Sequence, residues 1–380
     1  MSMEETQLHG KEPIIILGGG FGGLASAFAL EKELNRTLPN WPDKSISIEE
    51  ALAGHRISFF QGAVTNIDLA NRVILCEDGR ELSYRYLLLA LGSETNYFGI
   101  PGLEEHAHEI KTLEEAIRAR NDIRRTYEVT TEIFRILIGG AGPTGVELAG
   151  EIQGYLRKLK KRSDKKPTEV WLLDGAPTIL PGFPEKLIKK AERRLRKIGV
   201  NIVTGAFISR VVENLAILKS GDTIPFSMLI WAGGIAPNRL SKTLNLKKDE
   251  KGKIWPAKTL EINSHIFGIG DMVSFLDQKT NRPVPATAHF AIEQGKIAAK
   301  NIASLLARRP LTSFQPHSSP TIIPIGGKYA IAVLNGFTFS GFFGWLAKIF
   351  VELTYLASIL PFPKALQTWL KGVMISIKND

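Results

Sequence analysis

The chain carries the same glycine-rich turn twice, and that recurrence limits what it folds into more than any other feature. In residues 14–30 an apolar run enters Gly18, Gly19, Gly20, Phe21, Gly22 and Gly23, then continues into small and apolar residues at helical spacing. The order is strand, tight turn, helix, with Gly18, Gly20 and Gly23 at the three fingerprint positions of a dinucleotide site. The first glycine permits the turn and the second lets backbone amides approach a pyrophosphate. The third allows close packing of helix on strand, and the helix N-terminus offers partial positive charge. Residues 134–152 repeat the pattern: an apolar strand enters Gly139 and Gly140, and Gly140, Gly142 and Gly145 precede a helix carrying Val146, Leu148, Ala149 and Ile152. One such turn is a weak signal; two, a domain apart, point to two nucleotide sites.

The segments after each turn repeat as well. Residues 45–49 read as a short alternating strand ending in Glu49, near the ~20-residue offset expected of an acid that holds a ribose hydroxyl; a solvated acid beside Glu50 has the same signature. In the second unit, residues 169–174 form a strand ending in Asp174, placed to bind the adenosine ribose diol. A carboxylate there repels a 2′-phosphate, so NADH is favoured over NADPH. Residues 56–64 and 72–76 read as strands of a meander, with a hairpin turn at 77–79. Residues 86–92 are a continuous apolar run, as in a strand buried on both faces, and end in Gly92. After the second turn, a strand at 200–203 and further sheet at 209–218 and 223–225 lead to a second buried strand at 228–234, which ends in Gly233 and Gly234. Turn, acid-ended strand, meander and buried strand thus occur twice, as an internal duplication. Helices are predicted at 113–127 and 184–197. A last signal lies in residues 265–273, where an apolar strand delivers Gly268, Gly270 and Asp271 to a place where backbone approaches a ligand and a carboxylate accepts from hydroxyls. A plain turn residue is the other reading of Asp271. Residues 285–305 then form a long helix whose N-terminus could face developing negative charge, with His289 in it as either a functional or an ordinary packed histidine.

Length and composition narrow the chemistry. At 380 residues, two domains and an appendage are expected. The single cysteine, Cys76, excludes a redox pair, a cysteine-ligated cluster and a disulfide framework, so redox chemistry must use a bound organic cofactor and no metal is expected. The net charge of +10 suits a nucleic acid, an anionic membrane or anionic cofactors alike, and the run of lysines from Lys158 to Lys166 reads as a solvated helix end. The polar first 13 residues lack a secretory apolar segment, which makes the cytoplasm the default. Residues 342–360 are the most apolar part of the tail, but Lys348, Glu352 and the stop at Pro361 and Pro363 argue against a spanning helix. With residues 363–377, where Trp369, Leu370 and Val373 oppose Lys364 and Lys371, this region suits the bilayer interface; a dimer interface or a core-capping helix pair remains open.

The motifs GGGFGGL, LALGS, GGAGPTGVELAGEI, the acid ending WLLD, then WAGG, GIGD and TAHFAIEQG, in this order, resemble the flavoprotein oxidoreductases with two dinucleotide domains, and within them the type II, non-proton-pumping NADH dehydrogenases. The resemblance covers nearly the whole chain. It implies an α/β fold of two Rossmann-like domains, the second inserted into the first, with a C-terminal helical region that anchors the protein to a membrane. It places an FAD domain at residues 1–115 and 262–325, an NADH domain at 116–261 and the anchor at 326–380. FAD would be held by Gly18, Gly20, Phe21, Gly22, Gly23, Glu49, Ala90, Gly92, Gly270, Asp271 and Ala288, with Asp271 on the ribityl chain. NADH would be held by Gly140, Gly142, Pro143, Thr144, Gly145, Asp174 and Gly234. Glu147 matches the family glutamate near the nicotinamide and flavin, and His289 stands where quinone-reducing members usually carry glutamine. The implied reaction passes a hydride from NADH to FAD and two electrons on to a membrane quinone, on the cytoplasmic face of a membrane, with a homodimer as a further expectation and no nucleic-acid partner. One departure is large: between Glu50 and Ala51 the family normally inserts a segment that covers the flavin and helps line the quinone pocket. Its loss keeps two other readings in play, a soluble NADH:acceptor reductase and a nucleotide-binding protein without turnover.

Overall fold

Leu87, Leu88 and Leu89 are wholly buried because the strand Tyr86–Leu89 is covered on both faces. Successive side chains of a strand point to opposite faces, so the run divides between two cores. Leu88 joins Phe267, Ile269, Ala298 and Ile302 in a core under the helix Ala288–Leu306. Leu87 and Leu89 join Ile67, Ile74 and Tyr84 under an antiparallel meander. The computed structural model describes residues 13–18, 20–34, 57–162, 167–317, 321–334, 337–359 and 362–378. Its contacts divide the chain into two units, residues 1–94 with 236–319 and residues 95–235 with 320–380.

In the first unit the main sheet runs in the order Ile14–Leu17, Tyr86–Leu89, Ile266–Gly268, Glu261–Asn263. The first three strands are parallel and the last is antiparallel. Leu17 and Gly268 both register with Leu89, so the glycine turn after Leu17 and the Gly270–Met272 turn after Gly268 leave the same end of the sheet. The helix Phe21–Glu33 follows the first turn and packs along Ala288–Leu306. The predicted strand at 56–64 is not formed in its described part. Val64 pairs with Cys76, which is already the last residue of its own strand, so among the described residues the segment 57–63 faces no partner strand beyond one bond from the Glu77 N–H to the Ala63 carbonyl. Glu49, the expected strand at 45–49 and the junction of Glu50 with Ala51 lie outside the described residues.

The second unit repeats the plan. Its parallel sheet has the order Val200–Thr204, Thr168–Asp174, Phe134–Gly139, Met228–Trp231, Ala107–His108. Ile136 and Ile138 face a core with Val146 and Ala149 of the helix Pro143–Arg162, while Leu137 and Leu229 face the antiparallel strands Ile208–Val212, Leu215–Leu218 and Thr223–Pro225. The run at 209–218, expected to be sheet, is a hairpin that turns where Asn214 takes a φ of 59°. The helix predicted from residue 285 begins at Ala288, after Thr287 in extended conformation.

Residues 95–115 and 320–380 are grouped by their contacts with the second unit, and residues 236–261 with the first. The strands Thr321–Pro324 and Ala330–Leu334 send Ile323 and Ile331 into the core of the second unit, and the helices Phe342–Ile359 and Phe362–Lys378 follow the hairpin ending Phe337–Gly341. Gly344 explains how closely the first tail helix lies on this small sheet: a Cβ there would sit 2.1 Å from the Ala330 carbonyl oxygen.

Candidate functional site

In the first unit the three fingerprint glycines differ in what surrounds them, as their roles require. Gly18 has a φ of +111°, and a Cβ on it would lie 2.4 Å from the Ala90 carbonyl oxygen. Gly23 is tighter still, with the Gly18 oxygen 1.9 Å from where its Cβ would be. Among the described residues a Cβ on Gly20 would meet nothing within 4 Å, which leaves its backbone room for a ligand. Phe21, half exposed, begins a helix with no acid in its first turn, so nothing there repels an anion. Gly22 is hemmed in by Ile269 and Ala291, and the Ser26 hydroxyl donates back to its carbonyl. Ala90 and Gly92 follow the buried strand, and Gly92 has a φ of +69°.

Asp271 sits in a single helical turn, Gly270–Met272, and accepts a hydrogen bond from the Ser93 hydroxyl at 2.7 Å. The Gly270 N–H donates to Oε1 of the buried Gln294 at 2.7 Å, which ties this turn to the helix Ala288–Leu306. Ser93 and Gln294 hold the Gly270–Met272 turn, and the sequence pattern assigns no role to either. They lie inside the quoted motifs LALGS and AIEQG, yet only contacts across 178 and 24 residues reveal what they hold. Ala288 and His289 open that helix, and no side chain caps it at Thr287. A small cleft beside it is lined by Lys253, Gly270, Pro285, Thr287, Phe290 and Gln294. His289 Nε2 stands 3.6 Å from Oε1 of Glu293 one turn on, which in turn is 3.1 Å from Nδ1 of His317.

The second unit reproduces the cradle. Gly140 has a φ of +101° and would clash with Gly233 and Ala232 if it carried a Cβ; Gly145 would clash with the Gly140 oxygen at 1.8 Å; Gly142 is open. Pro143 and Thr144 begin the helix and are exposed, and again no acid lies in its first turn. Asp174 holds the loop in place through both oxygens: Oδ2 accepts the Ala141 N–H at 2.5 Å and Oδ1 the Ala176 N–H at 2.7 Å. Each oxygen keeps acceptor capacity for a hydroxyl. Gly234 lies under the exposed ring of Phe98, which would be 2.8 Å from its Cβ.

Glu147 and Glu151 lie one turn apart on this helix. Glu147 reaches solvent at its tip, but protein atoms crowd most of the volume around it. That burial pushes its carboxyl above the usual range, Lys348 opposes the shift, and Glu151 and Glu352 add to it. The Glu151 carboxyl is raised by burial too, again against Lys348. Lys348, paired with Glu352 at 2.5 Å, comes from the tail helix Phe342–Ile359 and was not among the site residues expected from the sequence. Its only signal there was a cation set within an apolar stretch.

Two open-centred glycine cradles, each at the end of a parallel sheet and each with a fixed carboxylate near by, fit two dinucleotides. The sequence pattern described as "Pyridine nucleotide-disulphide oxidoreductase" matches residues 12–295. The chain belongs to that family. It is an oxidoreductase of the NAD(P) and FAD class, although its lone cysteine, Cys76, leaves it without a redox pair. Its homology to type II NADH:quinone oxidoreductases is distant and runs the full length. The enzyme so named from Staphylococcus haemolyticus is 27% identical over 371 residues, covering 87% of this chain and 92% of its own. That of Mycobacterium tuberculosis is 28% identical over 410 residues, covering 94% and 87%. In fold, the chain matches NDH2 of Plasmodium falciparum, solved with NADH, at a TM-score of 0.79 and 17% identity over 97% of this chain and 98% of that one. Sulfide:quinone oxidoreductase of Aquifex aeolicus matches at 0.72 over 92% and 91%.

Proposed function

We propose that this flavoprotein oxidises NADH through FAD and delivers two electrons to a quinone at a membrane surface. The observation that carries the reading is the pair of cradles, Gly18–Gly20–Gly23 with Asp271 behind Ser93, and Gly140–Gly142–Gly145 with Asp174 at its strand end. The first would hold FAD, with Gly20 at the pyrophosphate and Asp271 taking hydroxyls of the ribityl chain. The second would hold NADH, with Asp174 taking the ribose diol and repelling a 2′-phosphate. Bound flavin supplies a centre that accepts a hydride and releases electrons in pairs.

The chain's own residues do the rest. The uncapped N-terminus at Ala288 offers free N–H groups to negative charge that builds on reduction. Glu147, with its carboxyl raised by burial, is able to hold a proton closer to neutrality than an ordinary glutamate, and Lys348 sets how strongly. Contact with the membrane falls to the tail. Phe337, Phe342, Phe343, Phe350 and Met374 are all more than half exposed, and an apolar hollow of about 550 Å³ lies among Phe339, Phe343, Phe350 and Trp369. Among the described residues no helix is long and apolar enough to cross a bilayer, so these side chains suit the interface. The test is NADH oxidation by the FAD-loaded protein with liposomes that contain or lack a long-chain quinone. Quinone-dependent oxidation by protein that floats with the vesicles is expected. Oxidation with a soluble dye but none with the quinone would leave the soluble-reductase reading standing instead.

A further inference from the structure

Resting on that NADH-to-quinone reading, we propose that Glu293 and His317 form a proton relay that loads His289 for reduction of the acceptor. A quinone that receives a hydride equivalent from reduced flavin becomes a quinol only when a second hydrogen arrives as a proton, so each turnover draws one proton through the protein. Glutamine at position 289 would have no proton to pass on; an imidazole does, because it accepts at one ring nitrogen while donating at the other.

Three groups stand in line for that task. Oε1 of Glu293 lies 3.1 Å from Nδ1 of His317 and 3.6 Å from Nε2 of His289, so one carboxylate oxygen is shared by two imidazoles. The His317 backbone N–H also donates to Oε2 of Glu293, at 3.4 Å, which keeps the bridging carboxylate oriented. The outer group is the most exposed: the side chain of His317 is 80% exposed, against 23% for Glu293 and 38% for His289. At the inner end, His289 Nε2 is sealed from solvent and has no hydrogen-bond partner among the described residues. A buried ring nitrogen with no bond is costly, and closing the last few tenths of an ångström to Glu293 removes that cost. The other charged groups on neighbouring elements are already placed. Asp271 is bound by Ser93, Lys253 lines the cleft beside Thr287, and Glu33 is in the last turn of the packed helix Phe21–Glu33.

The transfer balances. His289 gives the proton on its second nitrogen to the quinone oxygen and takes one at Nε2 from Glu293. Glu293 takes one from His317, and His317 regains one from water, so no charge remains on the chain. Glu293 and His317 are positioning and delivery groups, whereas His289 is the one that meets the acceptor.

The experiment uses the FAD-loaded full chain, reduced with dithionite and mixed with a short-chain quinone, so the step is read without NADH. Flavin reduction by NADH is followed separately. Failure there sinks the functional reading and leaves the relay to be judged on the quinone step. For Glu293→Gln and His317→Ala, flavin reoxidation is expected to slow about tenfold at alkaline pH and to acquire a larger solvent deuterium isotope effect, with added imidazole restoring His317→Ala. A second readout needs no turnover: in nitrogen-15 imidazole spectra, Glu293→Gln should shift the ring signals of both His289 and His317. Wild-type reoxidation rates and isotope effects in both variants, or His289 signals untouched by Glu293→Gln, would overturn the relay.

Discussion

Single residues carry the tightest constraints, and their variants give the clearest forecasts. A Cβ at Gly23 has no space 1.9 Å from the Gly18 oxygen, so Gly23→Ala is expected to open the first turn, cost about 1–3 kcal/mol in urea unfolding and strip FAD from the purified protein. Asp174→Asn removes a charge while keeping the shape. KM for NADH should rise about tenfold and the preference over NADPH should shrink, as read by steady-state kinetics with each nucleotide. Glu147 makes a forecast in pH. Its folded value is raised above the ordinary 4.5, so ionising it works against the fold. The contribution of Glu147 to stability is therefore full below 4.5 and is lost as pH rises from there through the raised value. Glu147→Gln should remove this contribution to the pH dependence of urea midpoints, leaving those of Glu151 and the other shifted groups, and should cut quinone-dependent turnover about a hundredfold. The glycines and Asp174 were legible in the sequence because steric need and strand-end position are local properties. Ser93, Gln294 and Lys348 were not, because each acts on a residue far along the chain.

Elements with a strong local period were read correctly, and the misses came where pairing decides. The helices Leu113–Val129 and Glu185–Lys197 came out within two residues of expectation, the first held by a capping box at Thr112 and Glu115. Residues 57–63, read as part of a strand, have no strand to pair with among the described residues, which no local pattern could reveal. The tail helix Phe342–Ile359 was legible as apolar and interrupted by charge, but its seat on the small sheet rests on Gly344 and on Trp345 and Ile349 packed with Ala330. Gly344→Val should lift that helix and lower Tm, whereas Phe343→Asp with Phe350→Asp, both on exposed positions, should leave Tm nearly unchanged and weaken flotation with liposomes. Flotation of the double variant equal to wild type would remove these side chains from the membrane-facing set.

For the whole molecule, the duplication in the sequence foretold two units of one plan, and contacts group residues with each unit that no motif marks. Residues 95–115 pair and pack with the second unit through Ala107–His108 and Leu103, and the tail hairpin completes that unit's core. The junction of Glu50 with Ala51 lies outside the described residues, so both cradles are judged on what stands in them. Their shared geometry makes one claim above all others, that electrons pass from NADH to a flavin held by this chain. The direct measurement is the absorption spectrum of the purified, FAD-supplied protein under anaerobic conditions, before and after NADH. The expected result is a flavin band that stays with the protein through gel filtration and is bleached by a single equivalent of NADH. A protein that retains no flavin, or a bound flavin that NADH leaves oxidised, would contradict it.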